Sequence, residues 1–226
     1  MASRRRSGER CLTARNSPGP SARPAPSGRP RSPRPHRPSG RKRAGTGKVD
    51  GGLGLSPDID KIVANAKAQE AAGYDGVWTA ETSHDPFLPL VLAAEHTETL
   101  ELGTSIAVAF ARNPMLLANL GWDLQALSRG RFNLGLGTQI KPHITKRFSM
   151  EWSKPAARAK EMISAISAIW DTWEHGEPLQ FRGEFYTHTL MTPFFTPDKS
   201  DLGDFGRPNI WLCLLYTSDA ADEGHC

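Results

Sequence analysis

The chain has 226 residues, 38% of them hydrophobic, and a formal charge of +4, which suits one or two globular domains. No apolar run approaches the roughly 20 residues of a membrane span, and the N-terminal residues contain no apolar stretch of a secretory signal. Cys11, Cys213 and Cys226 stand in no CxxC or Cys/His spacing, which excludes a zinc finger, a disulfide framework and a cysteine nucleophile in the body and points to the cytoplasm.

Residues 1–46 hold twelve Arg, one Lys and one Glu, a charge of +12; subtracted from the +4 of the whole chain, this leaves −8 for the remainder. The basic character therefore belongs to this head alone. With almost no aliphatic residues it is expected to be disordered. Three readings compete: an organellar transit peptide, a non-specific phosphate-binding arm, and GC-rich DNA upstream of the true start, translated in frame. The third is preferred, because the globular pattern begins abruptly at Lys48.

From there one unit recurs: an apolar strand, a polar loop, then a capping residue and a proline that open a helix. KVDGGLG reads as the first strand, and Ser56-Pro57 opens the first helix, with Ile59, Ile62, Val63 and Ala66 on its apolar face and Gly73 as its stop. GVWTA is the second strand, followed by Asp85-Pro86 and FLPLVLAAEHT. LELGTSIAVA is the third, and Asn113-Pro114 opens MLLANLGWDLQALSRG. FNLGLG is the fourth. A long basic loop follows, then Ser153 and Pro155 open AARAKEMISAISAIWDTW, LQFRGEFY suggests a hairpin, and NIWL is the fifth strand. The tail Cys213–Glu223, CLLYTSDAADE, resembles the translation of a transposon-end sequencing adapter, so natural sequence is expected to stop near Leu212. The domain expectation is thus a basic segment 1–46, a globular body 47–212 and an adapter-derived end 213–226.

Alternating strands and helices imply a parallel sheet covered by helices, either a (β/α)8 barrel or a doubly wound sheet. Both bind ligands at the carboxyl ends of the strands. Candidate site residues therefore fall in Glu81–Asp85, Ser105–Arg112 and Gly137–Arg147. Gly135-Leu-Gly137 is not a dinucleotide fingerprint: the third glycine is missing and the unit is fourth, not first. The glycines alone could simply turn the backbone. Thr138 and Gln139 add polar groups there, and Lys141, His143, Lys146 and Arg147 form a local basic cluster suited to an anionic cofactor tail, or else a solvated loop. His84 is a loop histidine beside Asp85, which by position caps the second helix. The tryptophans Trp78, Trp122, Trp152, Trp170 and Trp173 read as packing residues, and no metal site is expected.

LGTSIAVAFARNP, SRGRFNLGLGT and AETSHDPF, in this arrangement with KVDGGLG, resemble the bacterial-luciferase-like superfamily, and within it the oxidoreductases that use the deazaflavin coenzyme F420. The resemblance covers residues 48–212. It implies a (β/α)8 TIM barrel, of which strands one to five are present and three units are missing, so that the fragment itself is expected to be unstable or inactive. It also implies a non-prolyl cis peptide at Ser105–Ile106, forming a bulge that backs the cofactor ring. Gly137, Thr138 and Gln139 would fall at the ring and its side chain, although many relatives have Thr-Gly or Ala-Gly where this chain has Thr-Gln. Lys141, His143 and Arg147 are candidates for the anionic tail, and His84 for a proton donor beside a small-molecule substrate. The expected activity is hydride transfer between coenzyme F420 and an organic substrate. The alternatives are a reduced-FMN-dependent monooxygenase of the same superfamily and a non-catalytic nucleic-acid binder resting on the basic head. For the enzyme, neither a membrane nor a nucleic-acid partner is expected, and the full-length protein is expected to be a homodimer.

Overall fold

Proline and a capping side chain set where most of the helices begin. In the computed structural model, which describes residues 47–213, helix α1 (Ile59–Ala71) starts after Asp58, whose carboxylate accepts the Lys61 N–H at 3.2 Å. The cap is therefore Asp58 and not Ser56. Helix α2 (Leu88–His96) follows Asp85, which accepts the Phe87 and Leu88 N–H groups at 2.8 and 3.4 Å. In α3 (Pro114–Leu127) Asn113 caps the Leu116 N–H with Pro114 at the first position. Helix α4 (Pro155–His175) departs from expectation: Lys154 stands at its cap with φ 38° and no side-chain bond, so Ser153 does not cap it. The expectations for residues 1–46 and for the adapter-like residues after Cys213 lie outside the described residues.

The strands are β1 (Asp50–Gly52), β2 (Gly76–Thr79), β3 (Glu101–Thr104), β4 (Ala107–Val108), β5 (Phe132–Gly137), β6 (Phe181–Arg182), β7 (Thr187–His188) and β8 (Asn209–Cys213). The anticipated third strand is interrupted: β3 and β4 are two pieces separated by Ser105 and Ile106, and both pair with β5. In the main sheet every pairing is parallel and neighbours follow chain order, β1, β2, β3, β5, β8. A doubly wound sheet reverses its order at a switch point; this one does not. It is the singly wound arrangement of a (β/α)8 barrel, carried through five strand positions. The hairpin of β6 and β7 is a separate antiparallel pair of two-residue strands, the second of which, Thr187–His188, falls just after LQFRGEFY. Its turn is held by Glu161 of α4, which accepts the N–H groups of Glu184, Phe185 and Tyr186.

Strand alternation sends Val77, Leu102, Leu134 and Leu136 outward into the helix layer, where Leu90, Leu117, Trp122, Ile166 and Ile169 bury them. Ile62 and Ala66 supply the buried face of α1, whereas Ile59 is 62% exposed. The opposite residues line the barrel interior. A Cβ on Gly103 would come within 2.2 Å of the Trp78 ring, and Trp78 meets Trp211 with ring centroids 5.0 Å apart. Glycine on β3 thus makes room for an indole across the barrel floor.

Two charged side chains close backbone ends that the helices leave open. Arg131 of SRGRF donates to the carbonyls of Ala94 and Thr97, orphan groups at the C-terminus of α2, and to that of Leu100 just before β3. Glu70 of α1 accepts the N–H groups of Glu98 and Thr99 at 2.8 and 2.6 Å. Burial pushes the Glu70 carboxyl up, but these bonds outweigh it and its net shift is downward. A depressed folded value contributes stability that is full above the ordinary glutamate value of about 4.3 and is lost as pH falls through the folded one. Glu70→Gln should accordingly flatten the acid limb of stability, read as urea midpoints between pH 7 and pH 3. An acid limb as steep as that of the parent would refute the assignment.

Candidate active site at the carboxyl ends of the strands

The Ser105–Ile106 peptide is cis, the geometry implied by the resemblance. Its neighbours hold it from both sides. Ser105 donates its N–H to Thr79 O at 2.6 Å, and Ile106 O accepts the Glu81 N–H at 3.0 Å. A Cβ on Gly137 would sit 2.9 Å from the Ile106 side chain, so glycine at the end of β5 lets the bulge pack against it. The bulge faces an interior cavity of about 330 Å3, bounded by Asp50, Trp78, Thr104, Gly135 and Trp211 among others.

Behind the bulge lies a charge array whose members, Glu81, Asp85 and Arg112, fall within the candidate ranges, although Glu81 and Arg112 carry no assigned role there. Glu81, its side chain 7% exposed, accepts both the Val108 N–H at 2.7 Å and the Arg112 guanidinium. Arg112, 15% exposed, reaches Asp85 at 3.0 Å and lies over the Phe87 ring. One arginine therefore joins the segment after the bulge to the loop that carries His84. The available signal was an arginine directly before a helix cap in the otherwise apolar run AVAFARNP, and an acid at the end of β2.

The other predicted residues are distributed as follows. His84 is exposed and lines a second cleft with Thr82, Asp85 and Pro86. Thr138 is fully buried and its hydroxyl donates to Gln139 O, while Gln139, at φ 62°, accepts the Ile140 N–H on its own amide oxygen. Both side chains thus make local bonds at the end of β5. The basic segment is not plain loop: His143–Arg147 forms a π-helical turn anchored by buried Ile144. Lys141, His143 and Arg147 are exposed. Arg147 donates to Thr82 O, tying this turn to the His84 loop. No hydrogen bond or ion pair joins Lys141 or His143 to another predicted site residue among the described residues.

Elsewhere, Asp171, Glu174 and His175 bring their ligand atoms within 4.8 Å of one another. Arg207 pairs with Asp171 at 2.6 Å and lies 3.9 Å from Glu174, and the group is read as a surface ion cluster. No helix among the described residues is long and apolar enough to cross a membrane.

A parallel sheet in singly wound order with a bulged third strand and glycines opposite the bulge defines a (β/α)8-type scaffold, the class in which ligands bind at the carboxyl ends of the strands. The chain belongs to the family described as luciferase-like monooxygenase, whose model matches residues 36–213. An uncharacterized protein of Mycobacterium tuberculosis is 61% identical over 168 residues, covering 74% of this chain and 48% of that protein. A second protein of that organism, provisionally named a coenzyme F420-dependent oxidoreductase, is 36% identical over 175 residues, covering 66% of this chain and 50% of that one. Among solved structures, the oxygenating constituent of 3,6-diketocamphane monooxygenase from Pseudomonas putida, in complex with FMN, superposes with a TM-score of 0.59 at 17% identity, covering 73% of this chain and 51% of that one. The chain spans about half the length of the curated relatives it matches.

Proposed function

We propose that this chain carries the cofactor-binding half of an oxidoreductase that transfers hydride between coenzyme F420 and an organic substrate. The observation that carries the reading is the Ser105–Ile106 bulge, packed on Gly137 and open to the interior cavity. A flat ring laid on this bulge has one face covered by protein, so substrate must approach the other. The exposed side chains of Lys141, His143 and Lys146, with no ion pair among the described residues, offer hydrogen-bond donors that suit an anionic tail. When bound, the deazaflavin supplies or accepts the hydride at its C5. His84, exposed on the β2–α2 loop, would give a proton to a substrate atom that gains the hydride's electrons, and would take it back in the reverse direction. Thr138 and Gln139 fix the strand end beneath the ring through their local bonds. The enzyme is expected to act in the cytoplasm.

Reduced FMN with oxygen is the second reading, favoured by the likeness to the FMN-bound monooxygenase. Titration of the chain with coenzyme F420 and with FMN, followed by cofactor fluorescence, separates the two. Tighter binding of FMN would favour the monooxygenase, and binding of neither would remove both readings. For the bound cofactor, Arg147→Glu should weaken affinity several-fold more at low than at high ionic strength, because screening suppresses exposed charge pairs beyond about 8–10 Å. A salt-independent loss would place Arg147 away from the tail and leave it a structural tie to Thr82.

A further inference from the structure

We infer that Arg112 is a positioning residue: its guanidinium ties the loop that carries His84 to the Ser105–Ile106 bulge, so that the proton donor is presented at one place beside the cofactor ring; this rests on the hydride-transfer reading above. His84 is exposed and makes no hydrogen bond or ion pair of its own among the described residues. Its place is therefore set by its backbone. Proton transfer requires the donor within hydrogen-bond reach of the atom it serves, and a loop meets that demand when a rigid scaffold positions it. Residues 81–85 are held at three points. Glu81 donates its N–H to Ile106 O at 3.0 Å, joining the end of β2 to the bulge itself. Thr82 O accepts from Arg147 of the basic turn. Asp85, directly after His84, accepts from Arg112 at 3.0 Å.

The Asp85 carboxylate is divided between two tasks: Oδ1 accepts the Phe87 N–H at the start of α2 at 2.8 Å, and Oδ2 meets Arg112. The guanidinium is divided likewise, one terminal nitrogen on Glu81 and the other on Asp85. Such a fork sets direction as well as distance, which a lysine ammonium, a single point of charge, cannot do. Arg112 is itself rigidly placed. Its N–H closes the single 3-10 turn Ala109–Ala111 on Ala109 O at 3.0 Å, and α3 begins directly after Asn113. The nitrogen that meets Glu81 also donates to Val108 O at 3.2 Å, and the guanidinium lies 5.3 Å from the centroid of the Phe87 ring, itself 2% exposed. A continuous chain of contacts thus begins at Ile106 and ends one residue from His84. Folding alone does not call for its last link. Glu81, 7% exposed, already neutralises Arg112, whereas Asp85 is 41% exposed. What the Asp85 link fixes is a position, and a displacement of about 1 Å in a catalytic site can cost on the order of a hundredfold in rate.

The test follows Ser83 and His84 by NMR in the full chain, free and with coenzyme F420 or FMN. Asp85→Asn keeps the α2 cap, since asparagine caps as well as aspartate, but turns an amide toward Arg112 and breaks the tie. Arg112→Lys keeps a cation for Glu81 and loses the fork. Lys48→Gln, which removes an exposed pair with Glu101 outside this chain of contacts, is the control. In the free chain the backbone order parameters of Ser83 and His84 should fall from the rigid range near 0.85 to below about 0.6 in Asp85→Asn and Arg112→Lys, and stay at the parent value in the control. Bound cofactor should move the His84 ring signal to a single new position in the parent. In Asp85→Asn that displacement should be lost while cofactor affinity is unchanged, a separation that a purely structural tie would not produce. Order parameters equal to those of the parent in both variants would overturn the inference. So would a cofactor-induced displacement that survives Asp85→Asn, or a loss of cofactor affinity in that variant, which would put Asp85 in contact with the cofactor. Lowered order parameters without binding of either cofactor would sustain the Arg112 tie and remove the hydride-transfer reading.

Discussion

Replacing Arg112 by alanine should lower the free energy of unfolding by about 3–5 kcal/mol, the cost of stripping a buried charge of its partner. Glu81 retains the Val108 N–H but loses its only described counter-ion, and its side chain is 7% exposed. The loss should therefore belong mainly to Glu81. The Asp85 contact contributes little, because that carboxylate is 41% exposed and pairs with such access to water are worth about 0–1 kcal/mol. A double variant distinguishes the two contributions: Glu81→Gln combined with Arg112→Met removes both charges and should recover part of the loss seen in Arg112→Met alone. Urea denaturation of the four proteins provides the cycle. A cost below about 1 kcal/mol for Arg112→Ala, or a double variant worse than the sum of its singles, would show that the pair is not buried in solution as the structure has it.

The strand-helix alternation was legible because it is written in local chemistry. Asn113-Pro114 and Asp85-Pro86 announce their helices within two residues, and the bonds they make are local ones. Where two capping residues stand close together, local reading chose the wrong one. Ser56-Pro57 reads as the opening of the first helix, but the cap is Asp58, and Ile59, which shares the apolar spacing of Ile62 and Ala66, is 62% exposed at the first turn. Periodicity places a residue on a helix face, but whether that face is covered at its first turn depends on the neighbouring unit. The barrel itself came from the resemblance, since spacing alone cannot distinguish sequential strand order from a reversed one. The site divided in the same way. Ser105, Ile106 and Gly137 were reached through motifs. The Glu81–Arg112 pair, separated by 31 residues, and the Trp78–Trp211 contact depend on which strands lie side by side, and no local pattern records that. Thr138 and Gln139 stand at the strand end, where ligands of this fold bind. At that end the chain turns at a positive φ and uses both side chains on itself.

Gly135 is the residue whose replacement should most damage both fold and site. A Cβ there would lie 1.7 Å from the carbonyl oxygen of Thr104, a backbone atom that cannot step aside as a flexible side chain can. The two residues are also clasped. The Thr104 hydroxyl donates to Gly135 O at 2.6 Å and accepts the Gly135 N–H at 2.9 Å. This clasp bridges the gap in the ladder between the β3–β5 pairs and the β4–β5 pairs, directly beside Ser105 and Ile106. Gly135→Ala must therefore displace Thr104 and carry the bulge with it. The expected cost is at or above the ~3 kcal/mol upper end of ordinary overpacking, with a loss of cofactor affinity that reverting the residue restores. Gly52→Ala supplies the contrast: its nearest neighbour would be Trp78 O at 3.8 Å, an ordinary contact, so its effect should stay within about 0.5 kcal/mol. Urea midpoints of both variants, together with near-ultraviolet dichroism of the Trp78–Trp211 pair, read the two consequences separately. If Gly135→Ala matches Gly52→Ala in stability and leaves the indole signal intact, then β3 and β5 are not in the close register that brings the bulge to the barrel interior, and the cofactor seat built on it fails with them.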